Sequence, residues 1–229
     1  MPDIDLAHST VRALNAALHA LEPDTNERHW HVTNPQGKHA IAAGIDAPVT
    51  VEIDGHVGYY CAGMNKDAHV IVNGNAGVGL AENIMSGIVR VRGDASQSAG
   101  ASGHGGLLII DGNASARCGI SMKGVDIVVK GSIGAMSAFM AQAGSLVVLG
   151  DAGEHLGDSL YEARLFVRGR VASLGADCIE TEMDDEDRAA LIDVLARADL
   201  KGELDPSQFR LYRSARTLYH FHVDNAGAY

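Results

Sequence analysis

One glycine recurs every 19 residues through most of the chain, and this period restricts the fold more than any other feature. The interval is repeated six times in succession, with no insertion or deletion. The marker glycines are Gly55, Gly74, Gly93, Gly112, Gly131, Gly150 and Gly169. Because a fixed period of roughly 20 to 50 residues is typical of solenoids, the spacing predicts seven stacked coils of 19 residues each.

The residues before each marker glycine have the pattern of a strand with one buried face. Two positions, four and two residues before the glycine, are apolar in every coil and mostly β-branched. They are Val51, Val70, Val89, Leu108, Ile127, Leu146 and Leu165, and Ile53, Val72, Val91, Ile110, Val129, Val148 and Val167. Side chains two residues apart share one face of a strand, so both columns are predicted to face the core. The position directly before the glycine is mostly polar and is predicted to face outward.

A third column, seven residues after the marker glycine, contains only small residues. They are Ala62, Ala81, Gly100, Gly119, Ala138, Gly157 and Ala176. A larger side chain here would meet its own copies in the neighbouring coils, so the column is predicted to be small for steric reasons. The marker glycine itself is predicted at a bend, where positive φ or a close backbone approach excludes other residues.

These columns predict an all-β fold, a right-handed parallel β-helix with short helical flanks at both ends. Coils paired in parallel at about 4.8 Å give about 29 Å between the first and last rungs. The rival left-handed hexapeptide helix requires 18-residue coils of three equal units, and nothing in this sequence repeats at six. A right-handed path also agrees with the usual hand of parallel crossover connections.

The repeat divides the chain into three parts. Residues 1–48 are predicted to form an N-terminal helix, over residues 9–21 with Ser9 or Thr10 as its cap, and an extended cap. Residues 49–180 form the β-helix domain, and residues 181–229 form a C-terminal helical cap and tail, with a helix over 184–200. Because solenoid ends expose unpaired strand edges, the flanks are expected to cover those ends or to dock on a partner.

Charge and cysteine usage restrict the partners and the compartment. The formal net charge is −11, and acids are concentrated between residues 182 and 199, which argues against nucleic acid or an anionic membrane as partner. The first residues contain no apolar segment of a secretory signal, and the apolar runs are far too short to span a membrane. Three cysteines without a C-x-x-C pair favour a cytoplasmic location.

Several residues could carry chemistry, but each has a simpler structural interpretation. Gly74 to Gly79 resembles a phosphate-binding loop, yet another coil follows it rather than the helix that dinucleotide binding requires. The cluster of Gly103, His104, Gly105 and Gly106 is explained by a turn. The pairs His29/His31 and His220/His222 could each grip a metal ion, but no cysteine or carboxylate cluster completes a site, so hydrogen-bonded histidines are favoured.

The cysteines are predicted to be small buried side chains. Cys61 and Cys118 occupy one column three coils apart, about 14 Å, which is beyond disulfide reach. A nucleophilic pair of Cys118 with His104 stays open as a second class of function, an independent β-helix enzyme. Polysaccharide-acting β-helix enzymes carry projecting loops and rows of acids and aromatics, whereas this repeat has no insertions and Trp30 lies outside it. No catalytic, cofactor-binding or metal-binding residue is therefore predicted.

Three repeat segments resemble the glycine-repeat domain at the C-terminus of the glutamate synthase large subunit. These segments are Gly74-Asn75-Ala76-Gly77-Val78-Gly79, Gly112-Asn113-Ala114 and Gly150-Asp151-Ala152-Gly153. The resemblance covers at least residues 49–180. Stand-alone relatives of that domain include subunits of formylmethanofuran dehydrogenase and of a bacterial formyltransferase/hydrolase complex, which provide an alternative assignment.

Three longer stretches are similar to the β-helix component of N-methylglutamate synthase. They are His56-Val57-Gly58-Tyr59-Tyr60-Cys61-Ala62-Gly63-Met64-Asn65, Arg117-Cys118-Gly119-Ile120-Ser121-Met122-Lys123-Gly124 and Leu218-Tyr219-His220-Phe221-His222-Val223-Asp224-Asn225. The resemblance implies a non-catalytic structural subunit of an amidotransferase complex that makes N-methyl-L-glutamate and ammonia from methylamine and L-glutamate. It also implies a glutaminase-like partner, a second partner that carries FMN, and no cofactor on this chain.

Overall fold

The structure is a computed structural model that describes residues 2–217, and its main element is one 11-stranded sheet. The strands are β1 (Asp3–Asp5), β2 (His29–Thr33), β3 (Thr50–Asp54), β4 (His69–Val72), β5 (Ile88–Val91), β6 (Leu107–Ile110), β7 (Asp126–Val129), β8 (Ser145–Val148), β9 (Arg164–Val167), β10 (Cys178–Thr181) and β11 (Arg210–Ser214). The helices in these residues are α1 (Val11–His19), α2 (Asp185–Arg197) and a short 3-10 helix (Pro206–Gln208).

Strands β3 to β9 stack in parallel with the 19-residue register that the glycines predict. Val51 pairs with Val70, and Val70 with Val89, so each apolar column forms a continuous ladder through the rod. The side chains of both columns are completely buried. The predicted parallel β-helix is therefore confirmed, and the β-branched columns are what allow successive coils to pack at strand spacing.

In six of the seven coils, the marker glycine has no positive φ angle and is required because the backbone of the preceding coil lies close to it. Gly55 has a φ of 131°, but the other six marker glycines lie outside the positive-φ region. A Cβ atom on Gly74 would lie 2.4 Å from the carbonyl oxygen of Gly55, and one on Gly169 would lie 2.2 Å from that of Gly150. Glycine therefore stacks on glycine because the backbones of adjacent coils leave no room for a methyl group.

Positive φ angles occur instead five, seven and nine residues after the marker glycine. In the fourth coil these residues are Arg117, Gly119 and Ser121, with φ between 52° and 69°. Because of these positive φ angles, the amides of the three residues point in turn to the following coil, the preceding coil and the following coil. In the first coil, the amides of Tyr60 and Met64 donate to the following coil and that of Ala62 donates to the preceding one. Left-handed backbone costs about 1–2 kcal/mol per non-glycine residue, and these bonds between coils offset that cost.

The N-terminal part contributes a further coil to the sheet. Residues 22–48, predicted as extended chain, include β2, in which Trp30 pairs with Val51 of β3, and β1 pairs in parallel with β2. Helix α1 has Thr10 as its N-cap, as the sequence suggested, and buries Leu14 and Leu18. The division into residues 1–48, 49–180 and 181–229 stays a prediction, and strands from all three parts belong to one sheet.

The C-terminal part covers the other end and part of the outer face. Strand β11 lies between β9 and β10 and is antiparallel to both. Helix α2 packs against β7 and β8 and closes a second apolar cluster outside the coil interior. This cluster contains Leu107, Ile109, Val128, Val147, Phe166, Leu191, Val194, Leu195, Ala198, Leu200, Phe209 and Leu211. The third stretch that resembles N-methylglutamate synthase, residues 218–225, lies outside the described residues.

A ladder of polar side chains runs along the rod at the position after the marker glycine. Each side chain accepts a hydrogen bond from the backbone amide one coil further on, over distances of 2.7–3.0 Å, and the last of these amides is that of Arg170. The accepting side chains are His56, Asn75, Asp94, Asn113, Ser132 and Asp151. The ladder therefore ties adjacent coils together where glycine backbones would otherwise lack side-chain contacts.

Removing one rung of this ladder should weaken the rod locally. In Asn113→Ala, the amide of Ser132 loses its 2.9 Å acceptor and Asp94 loses a donor, so we expect a loss of about 1 kcal/mol in the free energy of unfolding. Urea denaturation measures this loss. Ser115→Ala is the control, because Ser115 is exposed nearby and outside the ladder; equal unfolding midpoints for the two variants would contradict a stabilising ladder.

Candidate functional site

His31 joins the first three strands of the sheet. Its Nε2 lies 2.8 Å from Asp54 Oδ2 and its Nδ1 lies 3.2 Å from Asp3 Oδ1. The hydrogen bond with Asp54 raises the pKa of His31 above its usual value, and attraction to Asp3 acts in the same direction. His31 is therefore a hydrogen-bonded histidine that links neighbouring strands, while His220 and His222 lie outside the described residues.

This contact predicts a pH dependence of stability in the neutral range. The pKa of His31 is raised by folding, so its stabilising contribution is complete below the unfolded-state value of about 6.5 and is lost as pH rises through the folded-state value. Between about pH 6 and pH 8 the free energy of unfolding should fall more for the native chain than for His31→Gln, which cannot titrate. If the free energy of unfolding, measured by urea denaturation at each pH, changed equally with pH in the two proteins, this role of His31 would be excluded.

The cysteines are interior side chains with poorly reactive thiols. Cys61 and Cys118 are completely buried, and burial raises the pKa of each thiol to about 12. His104 is exposed on the outside of the rod, so it does not form a nucleophile–base pair with Cys118. Because the thiolate is the reactive form, this burial disfavours Cys118 as a nucleophile at neutral pH.

The glycine-rich loops are explained by contacts between coils. The rings of Tyr59 and Tyr60 occupy the space beside Gly77 and Gly79, where Cβ atoms would lie 3.0 and 2.6 Å from ring carbons. A Cβ on Gly103 would lie 2.7 Å from a methyl carbon of Val125. These glycines serve packing, and a further coil rather than a helix follows residues 74–79.

The interior of the rod is filled by side chains. A Cβ on Gly100 would lie 2.6 Å from Ile127 Cδ1, and one on Gly157 would lie 2.8 Å from Cys178 Sγ. The predicted small column is therefore small because large neighbours occupy the space beside it. In the described part of the chain, the apolar columns of the coil interior are completely buried.

Two surface clefts contain charged groups that are already paired. One, of about 180 Å³, is lined by Arg164, Arg213 and Arg216 together with acids; Arg216 binds Glu162 at 2.6 Å, while Arg164 and Arg213 bind the buried Asp187. The other, of about 210 Å³, contains Arg90, which binds both Asp111 and Asp199. The ion pairs give both clefts a structural role.

Residues 2–217 contain no group of three or more histidine, cysteine or acidic side chains that could hold a metal ion. Within the same residues, no helix is long and apolar enough to cross a membrane. Further surface features of these residues are a cleft of about 410 Å³ lined by Pro2 and residues 26–29, an exposed apolar corner on the first two coils and the acidic face of α2.

The stacked coils and their buried apolar columns define a parallel β-helix protein. The chain belongs to the family of Protein GlxC. It is 60% identical to Protein GlxC of Rhizobium meliloti (strain 1021) over 229 residues, which are 100% of both chains. No protein-family model matches the sequence, and no solved structure matches it.

Two features outside the coil interior, the polar ladder and the second apolar cluster, were not predicted from the repeat. The polar ladder has a signal in the sequence, because the position after the marker glycine is polar in all seven coils. The second apolar cluster also has a signal in the sequence. The position three residues before the marker glycine is apolar in each of the last four coils, where it is Ile109, Val128, Val147 and Phe166. Neither signal belongs to the columns of the coil interior, from which the fold was predicted.

Proposed function

We propose that the chain is a structural subunit, without an active site of its own, of a glutamate-synthase-like amidotransferase complex. Within that class, the proposed enzyme is N-methylglutamate synthase, which forms N-methyl-L-glutamate and ammonia from methylamine and L-glutamate. The chain would hold a glutaminase-like subunit and an FMN-bearing subunit at a fixed separation, in the cytoplasm. The resemblance of the repeat segments to the glutamate synthase domain supports this class.

The observation that carries the proposal is the uninterrupted rod. The rod has seven coils and no projecting loops. Backbone hydrogen bonds join each coil to the next, which makes the rod a rigid scaffold. Catalytic groups are usually placed on loops that project from a rigid scaffold, and the interval from Gly55 to Gly169 contains no such insertion. Such a shape is suited to holding other subunits in position.

The chemistry of an amine explains why spacing would matter. A free amine in neutral water becomes protonated and loses its nucleophilicity, so a reaction divided between two sites requires a sheltered route. Buried side chains occupy the coil interior in the described part of the chain. In the proposed complex, the passage therefore lies inside the partners or along the outer surface of the rod, where the rod forms one wall.

Co-purification tests the identity of the complex. The chain with an affinity tag, expressed at its natural level, should recover an amidotransferase-like subunit and a flavin-containing subunit in constant ratio, identified by mass spectrometry and flavin absorbance. Recovery of a metal-dependent hydrolase and a formyltransferase instead would replace this proposal with the formyl-transfer complex. Recovery of the chain alone, with turnover of any substrate by it, would favour an independent enzyme.

A further inference from the structure

Large exposed apolar side chains are concentrated at one corner of the rod. Among residues 2–217, seven such side chains are exposed, and four of them lie on the first two coils. We call these four, Tyr59, Tyr60, Met64 and Met85, the aromatic corner; they are 47–58% exposed. Met85 lies beside Met64, because its amide donates to the carbonyl of Asn65, and Tyr60 lies in the same turn as Met64, because its carbonyl accepts from the amide of Gly63.

The two tyrosine rings are held in place before any partner arrives. The ring of Tyr59 stacks on that of His39 with 4.6 Å between centroids, and His39 Nδ1 accepts from the Tyr59 amide at 2.9 Å. The ring of Tyr60 rests on the bare backbone of Gly79, where a Cβ atom would lie 2.6 Å from Tyr60 Cδ1. Rings fixed on one side and open on the other lose little conformational entropy on binding, which is typical of interface anchors.

The charge around the corner restricts what can cover it. Lys66, next to the corner, is paired with Asp46 at 2.8 Å, so it offers no free positive charge to an anionic ligand. The whole chain carries a net charge of −11, which opposes polyanions and anionic membranes, and also opposes a second copy of the same chain. Glu82 adds negative charge next to the corner, because its carboxylate lies beside Gly79, on which the Tyr60 ring rests. An apolar surface with an acidic neighbour is complementary to an apolar face of a different protein that carries basic groups at its edge.

We propose that the aromatic corner is the docking site for one partner subunit, a different polypeptide whose contact face is apolar and carries basic groups at its edge. This inference rests on the function proposed above and adds to it the surface that one of the two subunits contacts. Tyrosine and methionine are enriched in the centres of protein interfaces, whereas lysine, glutamate and aspartate are depleted. The other subunit would use a separate surface of the rod.

The backbone allows a substitution that removes the apolar surface and preserves the fold. Tyr60 and Met64 have φ angles of 59° and 56°, a region that asparagine tolerates better than other non-glycine residues. The test variant is therefore the double substitution Tyr60→Asn and Met64→Asn. The matched control is Met140→Asn, because Met140 occupies the column of Met64 four coils further on, has a φ of 53° and is also exposed.

The measurement is a titration of the purified chain against each purified subunit, the amidotransferase-like one and the FMN-bearing one, by calorimetry. The double variant should bind one of the two subunits at least tenfold more weakly and the other with unchanged affinity, whereas Met140→Asn should bind both normally. Thermal unfolding of all three chains should give similar midpoints, which shows that the loss lies in binding.

Three results would overturn the proposal, and they separate it from the proposed function. Normal binding of both subunits by the double variant would refute the aromatic corner and leave the complex intact. Failure of the unmodified chain to bind either subunit would refute the proposed function and this inference with it. Sedimentation of the unmodified chain as a dimer that the double variant dissolves would identify a second copy as the occupant.

Discussion

Replacing Gly74 with alanine should destabilise the rod more than any exposed substitution on its surface. The new Cβ would lie 2.4 Å from the Gly55 carbonyl oxygen, 2.5 Å from its carbon and 2.9 Å from the His56 nitrogen. All three atoms belong to the backbone of the preceding coil, so no side chain can rotate away to make room. The coils must separate locally, and we expect a loss of about 3 kcal/mol or more in the free energy of unfolding.

The control for this prediction is Gly63→Ala, in the neighbouring coil. A Cβ atom there would lie 3.4 Å from the Tyr60 carbonyl oxygen, which is an ordinary contact, and its backbone has no positive φ. Its free energy of unfolding, measured in urea, should stay within about 1 kcal/mol of that of the native chain. If Gly74→Ala were as stable as this control, the stacking of glycine on glycine would not be the reason for the 19-residue period.

Substituting Asp187 should detach the C-terminal helix from the rod. Asp187 is fully buried, it completes the capping box of α2 with Asp184, and its carboxylate binds Arg164 and Arg213. Asp187→Ala would leave two arginines without their buried partner and remove the side-chain bond to the Asp184 amide, one half of the capping box, at an expected cost of about 3–5 kcal/mol. Because α2 covers Val147 and Phe166, its release should also expose the second apolar cluster.

The matched control for Asp187 is Asp185→Ala, in the same turn of α2. Asp185 is exposed, so its loss should cost only a few tenths of a kcal/mol through the helix dipole. Hydrogen exchange at α2 and binding of an apolar dye would measure the detachment directly. Equal protection of α2 in the two variants would show that the buried carboxylate is not what holds the helix in place.

The coil architecture was predictable because its causes repeat. Each interior position appears seven times, so Val51 and its six copies together define a buried strand face that one short segment could not. The backbone of the second half of each coil was not predictable in this way. Residues such as Tyr60, Met64 and Arg117 adopt positive φ because their own amides then donate to carbonyl groups of the following coil, although their conformational preferences argue against it.

The ends and the surface of the rod were harder to predict than its interior, because their features do not recur in every coil. The additional coil at residues 22–48 differs in length, since Trp30 and Val51 are 21 residues apart, and the 19-residue period therefore misses it. The role of Asp187 depends on Arg164 and Arg213, which lie far apart in the sequence, on β9 and β11, and meet only in the folded chain. Three residues of the aromatic corner, Tyr59, Tyr60 and Met64, lie in a stretch that the sequence analysis singled out for its resemblance. That their side chains are exposed became known only from the structure.

The most direct test of the central claim is a turnover assay with purified subunits, in which N-methyl-L-glutamate formation is measured for every combination of the three. The complete mixture should be active, the chain alone should be inactive and free of flavin, and the two partners without the chain should form much less product. Product formation by this chain alone, or full activity of the two partners in its absence, would contradict a rod that positions other subunits.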